Sequence, residues 1–145
     1  MTCRARGSIS VEVAILAPAF LLLIVMAIVA GRTAIAYNSI DLAAHDGARA
    51  ASLARDASGA REAAVTAAVD SLSRQGLRCV NDVAGDIVVD PSGFALPVDS
   101  LDLGFVSVTV TCEVSFADVA MVNVPATREL TSTFVSPLDT FRERS

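Results

Sequence analysis

The stretch VAILAPAFLLLIVMAIVAG, from Val13 to Gly31, decides how the rest of the chain can fold. It carries no charge and lies between Glu12 and Arg32. At about 1.5 Å per helical residue, a run of this length spans the roughly 30 Å hydrocarbon core of a bilayer. Pro18 lies inside the run, and in a membrane helix we expect it to produce at most a kink. The sequence therefore predicts one transmembrane helix.

Two arginines ahead of this run predict its orientation. Arg4 and Arg6 precede the span closely, and the positive-inside rule keeps such residues in the cytoplasm. The remaining chain should then lie outside. A cleaved signal peptide also has a basic start, but its apolar run is usually about 7 to 15 residues long. A cleavage site after Ala30 would also need small residues where Ile28 and Val29 stand, so we interpret the run as a span.

The composition fits a membrane protein and argues against several functional classes. Of 145 residues, 53% are hydrophobic and 19% charged, and the mean hydropathy is +0.57. The net charge is −5 and the chain has no basic cluster, which disfavours nucleic acid as a partner. One His, one Tyr and no Trp leave few of the residue types that build active and metal sites. We expect no enzymatic activity, no cofactor, no metal and no small-molecule substrate.

Beyond the span, the sequence predicts two helices. The residues after Arg32 are rich in alanine and free of proline, so the membrane helix should continue into water. Ser58-Gly59 should interrupt it, and a second helix should run from Ala60 to Gln75. The apolar stripe expected on the second helix is Val65, Val69 and Leu72.

After Gly76 the pattern becomes that of β-strands. A short strand is predicted from Asp86 to Asp90. The clearest strand runs from Phe105 to Phe116, where apolar and polar residues alternate and one face should enter a core. A last strand is predicted from Thr127 to Val135, ended by Pro137. Helices followed by strands indicate an α+β domain with a small antiparallel sheet packed on the extended helix.

The continuation of the membrane helix carries a face of small residues. Such faces let helix backbones approach closely, against a sheet or against copies of the same helix. An alanine-rich composition alone also produces this pattern. The residues, at spacings of three and four, are Ile40, Ala44, Gly47, Ala48 and Ala51.

Glu12 is the residue with the most specific functional signal. A carboxylate in the first turns of a membrane helix is costly unless it is paired or neutralised, so it is a functional candidate by default. A flanking acid at the level of the lipid headgroups is the structural alternative. Glu12 stands five residues after Gly7, in the sequence RARGSISVE.

This stretch resembles the processing site of type IV pilins. The wider pattern, GSISVEVAILAPAFLLLIVMAIVAGR with the later AAHDGARAAS, is similar to the TadE-like family of tight-adherence (Flp) pilus pseudopilins, and the closing STFVSPLDTFRERS is similar to that family's end. Asp46 stands where the family often has glutamate. The resemblance implies a pilin-like fold in which residues 1–7 are a leader, 8–32 the transmembrane helix and 33–145 an extracytoplasmic domain. It also implies cleavage by a prepilin peptidase between Gly7 and Ser8.

The function implied by the resemblance is that of a minor pilin or pseudopilin in pilus assembly. Its partners would be the membrane, the prepilin peptidase and other pilins and pseudopilins, with Glu12 docking one subunit to the N-terminus of the next. The implied location is the cytoplasmic membrane, with the N-terminus cytoplasmic and the domain outside; incorporation into an extracellular pilus stays open. The alternative is a membrane-tethered exterior domain that binds an envelope partner or ligand and never enters a filament.

Cys79 and Cys112 belong to the part of the chain that should lie outside. An oxidising exterior favours a disulfide between them, and two buried free thiols are the alternative. Cys3 has no apolar run before it, which argues against a lipid anchor. His45 and Asp46 are neighbours that should point about 100° apart on a helix, so we expect polar surface residues rather than a catalytic pair.

Overall fold

The structure, a computed structural model, describes residues 8–96, 103–117 and 127–138. Its elements form the α+β arrangement that the sequence predicts, with one antiparallel sheet. In chain order they are helix α1 (Ser8–Ser52), helix α2 (Ala57–Arg74), strand β1 (Ile87–Asp90), a short 3-10 helix (Ser92–Ala95), strand β2 (Phe105–Ser115) and strand β3 (Thr127–Pro137).

Helix α1 is continuous from the apolar run into the domain. Its 45 residues extend for about 68 Å, more than twice the thickness of the hydrocarbon core. Pro18 lies inside the helix without ending it. Among the described residues, α1 is the helix that is long and apolar enough to cross a membrane. The predicted span and its continuation are therefore one rigid element.

The break between the helices lies earlier than the sequence suggested. Helix α1 ends at Ser52, and α2 already begins at Ala57, so the expected interruption at Ser58-Gly59 is wrong. The physical reason is the N-cap: the Asp56 carboxylate accepts a hydrogen bond from the Gly59 backbone N–H at 2.8 Å. This cap satisfies a free N–H of the first turn, so Ser58 and Gly59 become part of the helix.

The second helix ends close to its expected boundary. Gln75 is the C-cap of α2, and Gly76 follows it with a φ of 70°, in the left-handed region that favours glycine. The backbone N–H of Leu77 then donates to the Leu72 carbonyl at 3.2 Å, which closes the helix end.

Alanines, rather than valines, form the buried face of α2. Leu72 is buried as expected, but Val65 is only half-buried and Val69 is 37% exposed, so the predicted stripe is wrong in part. Short side chains allow α2 to lie close to the small-residue face of α1, where valines would hold the backbones apart. The residues buried on α2 are Ala60, Ala64, Ala68, Ser71 and Leu72.

Strand β2 is central in the sheet, which has the order β1-β2-β3 with both pairings antiparallel. The predicted alternation on β2 is confirmed, since its apolar side chains enter the core. Strand β1 begins at Ile87, one residue later than expected. Strand β3 extends past Val135 to Pro137, which pairs with Phe105 at the end of an edge strand, where a proline is tolerated.

The core lies between one face of the sheet and the two helices, in two layers. Helix α2 runs antiparallel to α1, since Gly47 lies beside Ala64 while the amide of Gln75 reaches the Ser39 carbonyl. The end of α2 therefore returns toward the apolar run. We call this end of the domain, which contains Arg32 and the C-terminal end of β2, the membrane-proximal end.

Candidate functional site

The apolar part of α1 is uncovered by the rest of the described chain. Its large hydrophobic side chains between Val11 and Ile28 are between 42% and 71% exposed. None of the most apolar 18-residue window is buried, and its mean hydropathy is 3.0. A surface of this size and polarity requires lipid or another apolar surface around it. The described residues supply neither.

Glu12 lies on this uncovered helix, in an exposed position. The ion pairs recorded within the described residues both belong to Asp46, and neither includes Glu12. Ser8 is the first residue of α1, one helical turn before Glu12, whereas Gly7 lies outside the described residues. Residues four apart face the same side of a helix, so an amine created at Ser8 would lie near the Glu12 carboxylate.

The small-residue face of α1 is in contact with its own domain. A Cβ atom added at Gly47 would lie 3.2 Å from the Ala64 carbonyl oxygen and 3.2 Å from Cγ1 of Val108. Helix α2 and the sheet therefore both pack closely against α1 at Gly47. Of the two contacts that the sequence left open for this face, the structure shows the intramolecular one. The predicted residues of the face, Ile40, Ala44, Gly47, Ala48 and Ala51, are all buried.

Asp46 connects the two helices through polar contacts at the edge of this face. Its Oδ2 atom accepts a hydrogen bond from the Ser71 hydroxyl at 2.8 Å and lies 3.7 Å from Nη2 of Arg74. Ser71 is buried, and Asp46 satisfies its hydroxyl. On β3, the Ser132 hydroxyl donates to Oδ1 of Asp41 at 2.8 Å in the same manner. These two carboxylates fix the domain to α1.

The His45 side chain is 41% exposed, so it lies at the surface as expected, and one side of its ring also packs on the sheet. Its ring lies edge-on to the ring of Phe134, with 4.5 Å between the centroids. Its Nδ1 atom is buried without a hydrogen-bond partner in the described residues, and it lies 3.6 Å from Oδ1 of Asp46. The contact with Phe134 of β3 adds a packing role that the sequence did not indicate.

A disulfide joins Cys79 to Cys112, with Cα atoms 5.3 Å apart. It holds the segment after α2 against the centre of the sheet. Asn81 adds to this attachment, because its side-chain oxygen accepts from the Glu113 N–H at 2.8 Å. The Val80 N–H also donates to the Glu113 carbonyl at 2.8 Å. The segment is thus anchored by one covalent bond, one backbone–backbone hydrogen bond and one hydrogen bond to the Asn81 side chain.

The acidic side chains of the domain serve its local structure. Among the described residues, no group of three His, Cys, Asp or Glu side chains is placed to hold a metal ion. The pKa of the Asp56 carboxyl is lowered, first by the hydrogen bond from the Gly59 N–H and then by the Ser58 hydroxyl. The described surface combines an exposed apolar helix with a domain that is packed on the C-terminal part of the same helix.

Two contacts in the domain, one of His45 and one of Asn81, were not predicted from the sequence. His45 and Phe134 are far apart in the chain, so no local sequence pattern indicates their contact. Asn81 follows Cys79 by two residues, and an amide so close to a structural cysteine could have suggested a role in pairing with the strand.

The comparison with protein families identifies the N-terminal part of the chain. The family model for TadE-like protein matches residues 7–49, about a third of the chain. This confirms the resemblance over the segment that contains Glu12 and the apolar run. It suggests involvement in a tight-adherence pilus system. Comparisons with curated proteins and with solved structures give no match.

Proposed function

We propose that this chain is a non-catalytic minor pilin or pseudopilin, processed by a prepilin peptidase, that acts in the assembly of a tight-adherence pilus. The observation that carries the proposal is that the family match and the exposed apolar part of α1 cover the same segment of the chain. The family match, residues 7–49, contains the part of α1 that its own domain leaves uncovered. A surface that is apolar and continuous with a rigid domain can lie first in lipid and then against other subunits.

Processing between Gly7 and Ser8 would make Ser8, the first residue of α1, the N-terminus of the mature chain. A glycine before the scissile bond adds no side chain to an extended substrate. The new amine would be a cation at the start of the helix, and Glu12 would be its closest carboxylate along the same face. In the membrane, pairing offsets the cost of desolvating both charges.

The same charges can pair between subunits. An amine of one chain and Glu12 of a neighbour would meet when two α1 helices lie side by side with a small axial shift. The structure supports this arrangement because Glu12 is exposed and has no ion pair within the described residues. The proposed orientation puts Arg4 and Arg6 in the cytoplasm and the domain outside.

The mature N-terminus tests the processing step. Intact-mass measurement of the membrane fraction should give a chain that begins at Ser8, and Gly7→Leu should leave the leader attached. A full-length wild-type chain, or one cut near Ala30, would contradict processing at this junction.

The docking step needs a separate variant. Glu12→Gln keeps the shape of the side chain and removes its charge, so cleavage should persist while the yield of sheared pili falls. The expected loss is on the order of 1 to 3 kcal/mol per contact. Glu62→Gln, which removes an exposed charge from α2, is the matched control and should leave piliation unchanged. Normal piliation by a matured Glu12→Gln protein would show that Glu12 is only a boundary residue. Normal pili in a strain lacking the whole chain would favour the membrane-tethered binding domain.

A further inference from the structure

The membrane-proximal end of the domain contains a groove that the assembly function does not use. It has a volume of about 540 Å³, within the range of about 300 to 1,000 Å³ that is usual for small-molecule sites. Helix α1 forms one wall and the end of β2 the other. The segment after α2 closes one side.

Two arginines and several apolar side chains line this groove. Arg32 projects from α1, and Arg78 belongs to the segment after α2. Both side chains are exposed. The same lining includes Ile35, which is 67% exposed, and the half-buried Leu77. No carboxylate belongs to the described lining, although the whole chain has a net charge of −5. The charged side chains of the described lining are therefore these two arginines.

The depth of the groove follows from the continuity of α1. Arg32 is the first charge after the uncharged run, so it marks the upper boundary of the hydrocarbon core. The groove extends along α1 from Arg32 to Ala36, about 6 Å farther out. The headgroup region on each side of a bilayer is of about the same thickness. The groove therefore opens at the level of lipid phosphates.

The opposite side of α1 supports the same depth. Tyr37 is half-exposed there and lies with Asn38 and Arg128 around a second shallow depression. Tyrosine is enriched at the membrane–water interface, where its ring is apolar and its hydroxyl is wet. Three arginines from α1, the segment after α2 and β3 thus lie at one level.

Arg78 is held in place by the fold. Gly76 ends α2 in a left-handed conformation, and the residue after Arg78 is the disulfide-bonded Cys79. Val80 then pairs with the backbone of Glu113. The backbone on both sides of Arg78 is therefore fixed before any ligand arrives, which lowers the entropic cost of using its guanidinium group.

We propose that this groove binds the phosphate of an anionic phospholipid from the outer leaflet of the membrane. Arg32 and Arg78 would contact the phosphate from two sides, while Ile35 and Leu77 lie against the glycerol and the upper part of an acyl chain. Guanidinium groups match phosphate oxygens in a bidentate manner, and the apolar wall distinguishes a lipid from a free anion. The bound lipid fixes the depth of the domain on the bilayer. This inference rests on the membrane span and on the proposed orientation with the domain outside, but not on a role in a pilus.

Native mass spectrometry of the full chain in detergent tests the proposal. The chain is titrated with phosphatidylglycerol or with phosphatidylcholine, and the affinity for the first bound lipid is measured. We expect phosphatidylglycerol to bind more tightly. Each arginine near an anionic membrane surface contributes about five-fold in affinity, so R32Q/R78Q should weaken phosphatidylglycerol binding by about thirty-fold.

A double variant at the other end of the domain is the matched control. R55Q/R61Q removes the same charge from exposed positions near the turn between the helices, and we expect its affinity to stay within two-fold of the wild type. R78Q alone should weaken binding by about five-fold and provides a second test if the double variant folds poorly.

Three results would overturn the proposal. Equal affinity for the two lipids would remove the preference for an anion. If R55Q/R61Q and R32Q/R78Q weaken phosphatidylglycerol binding equally, only the net charge of the chain matters for lipid binding. The same result is expected if the groove binds a neighbouring protein instead of a lipid. Displacement of phosphatidylglycerol by inorganic phosphate at equal concentration would show a site for small anions rather than for lipid.

Discussion

Loss of the disulfide between Cys79 and Cys112 should strongly destabilise the domain. The bond closes a loop of 33 residues. On the chain-entropy model, a loop of this length corresponds to about 4 kcal/mol at 25 °C. For a domain of roughly 100 residues, each kcal/mol shifts Tm by roughly 4 to 8 °C. Reduction should therefore lower the Tm of the domain by about 15 to 30 °C.

The assay is thermal unfolding of the full chain in detergent, followed by circular dichroism with and without a reductant. The reduced wild type keeps both sulfur atoms, so its Tm reports the cross-link alone. Cys79→Ala/Cys112→Ala also removes volume at Cys112, which is fully buried, and it should melt lower still. Cys3→Ala, in the proposed leader, is the control: it keeps the disulfide, so its Tm should match that of the wild type both with and without the reductant.

Two outcomes would refute this reasoning. A Tm that falls by less than about 5 °C on reduction would show that the hydrogen bonds of Asn81 and Val80 already hold the loop closed, so the cross-link adds little. Free alkylatable thiols at Cys79 and Cys112 in protein taken from cells, found by non-reducing peptide mapping, would show that the bond does not form in its natural compartment.

Two further predictions concern the helices. Gly47→Leu should destabilise the domain by about 1 to 3 kcal/mol, because its Cβ would already crowd the Ala64 carbonyl; Gly31→Leu, on the same helix with nothing within 4 Å, should not lower Tm. Asp56→Ala should lower Tm by a few degrees at pH 7. The lowered pKa of Asp56 means that its stabilisation is present above about pH 4 and is lost as the pH falls through the folded-state value, so wild type and variant should converge in a pH series of melting curves. A Tm difference that persists at pH 2 would contradict the role of the charge.

The elements that could be predicted are those with a long or strict local pattern. Helix α1 follows from an uncharged run that is long enough to cross a bilayer as a helix. Strand β2 follows from a period of two sustained over its whole length, which has no helical interpretation. In both cases one strong physical requirement acts on consecutive residues, so tertiary contacts need not be known.

The start of α2 could not be placed because the competing signals were local and of similar strength. Ser58-Gly59 disfavours a helix interior by propensity, while Asp56 favours a helix start by capping. The side-chain hydrogen bond to Gly59 decides between them, and only the folded backbone shows it. The buried face of α2 was misjudged for a different reason. The prediction used hydrophobicity, which favours valine over alanine on a buried face. The short distance between α2 and Gly47 of α1 leaves room only for small side chains, so alanines are buried there.

The candidate site divides in the same way. The disulfide could be predicted because a pair of cysteines in a domain expected outside the membrane has few explanations. The docking role of Glu12, which rests on a charge beside an apolar run, stays a prediction. The groove was not recognisable, because Arg32 and Arg78 are brought together by the antiparallel return of α2. Its arginines look like ordinary surface charges until the domain is folded.

The packing of α1 limits how subunits can meet in a filament. The small-residue face around Gly47 is occupied by α2 and the sheet, so it is closed to neighbouring subunits. The most apolar exposed surface of the helix is the one between Val11 and Ile28, which lipid would cover in a membrane. Lipid and neighbouring subunits therefore compete for one surface, and a chain that joins a filament must exchange the first for the second. Because lipid is as apolar as the helix, the hydrophobic effect gives little preference for either state. The proposed charge pair of Glu12 with a neighbouring amine would add an interaction that acyl chains do not offer, so its loss should affect assembly more than membrane insertion.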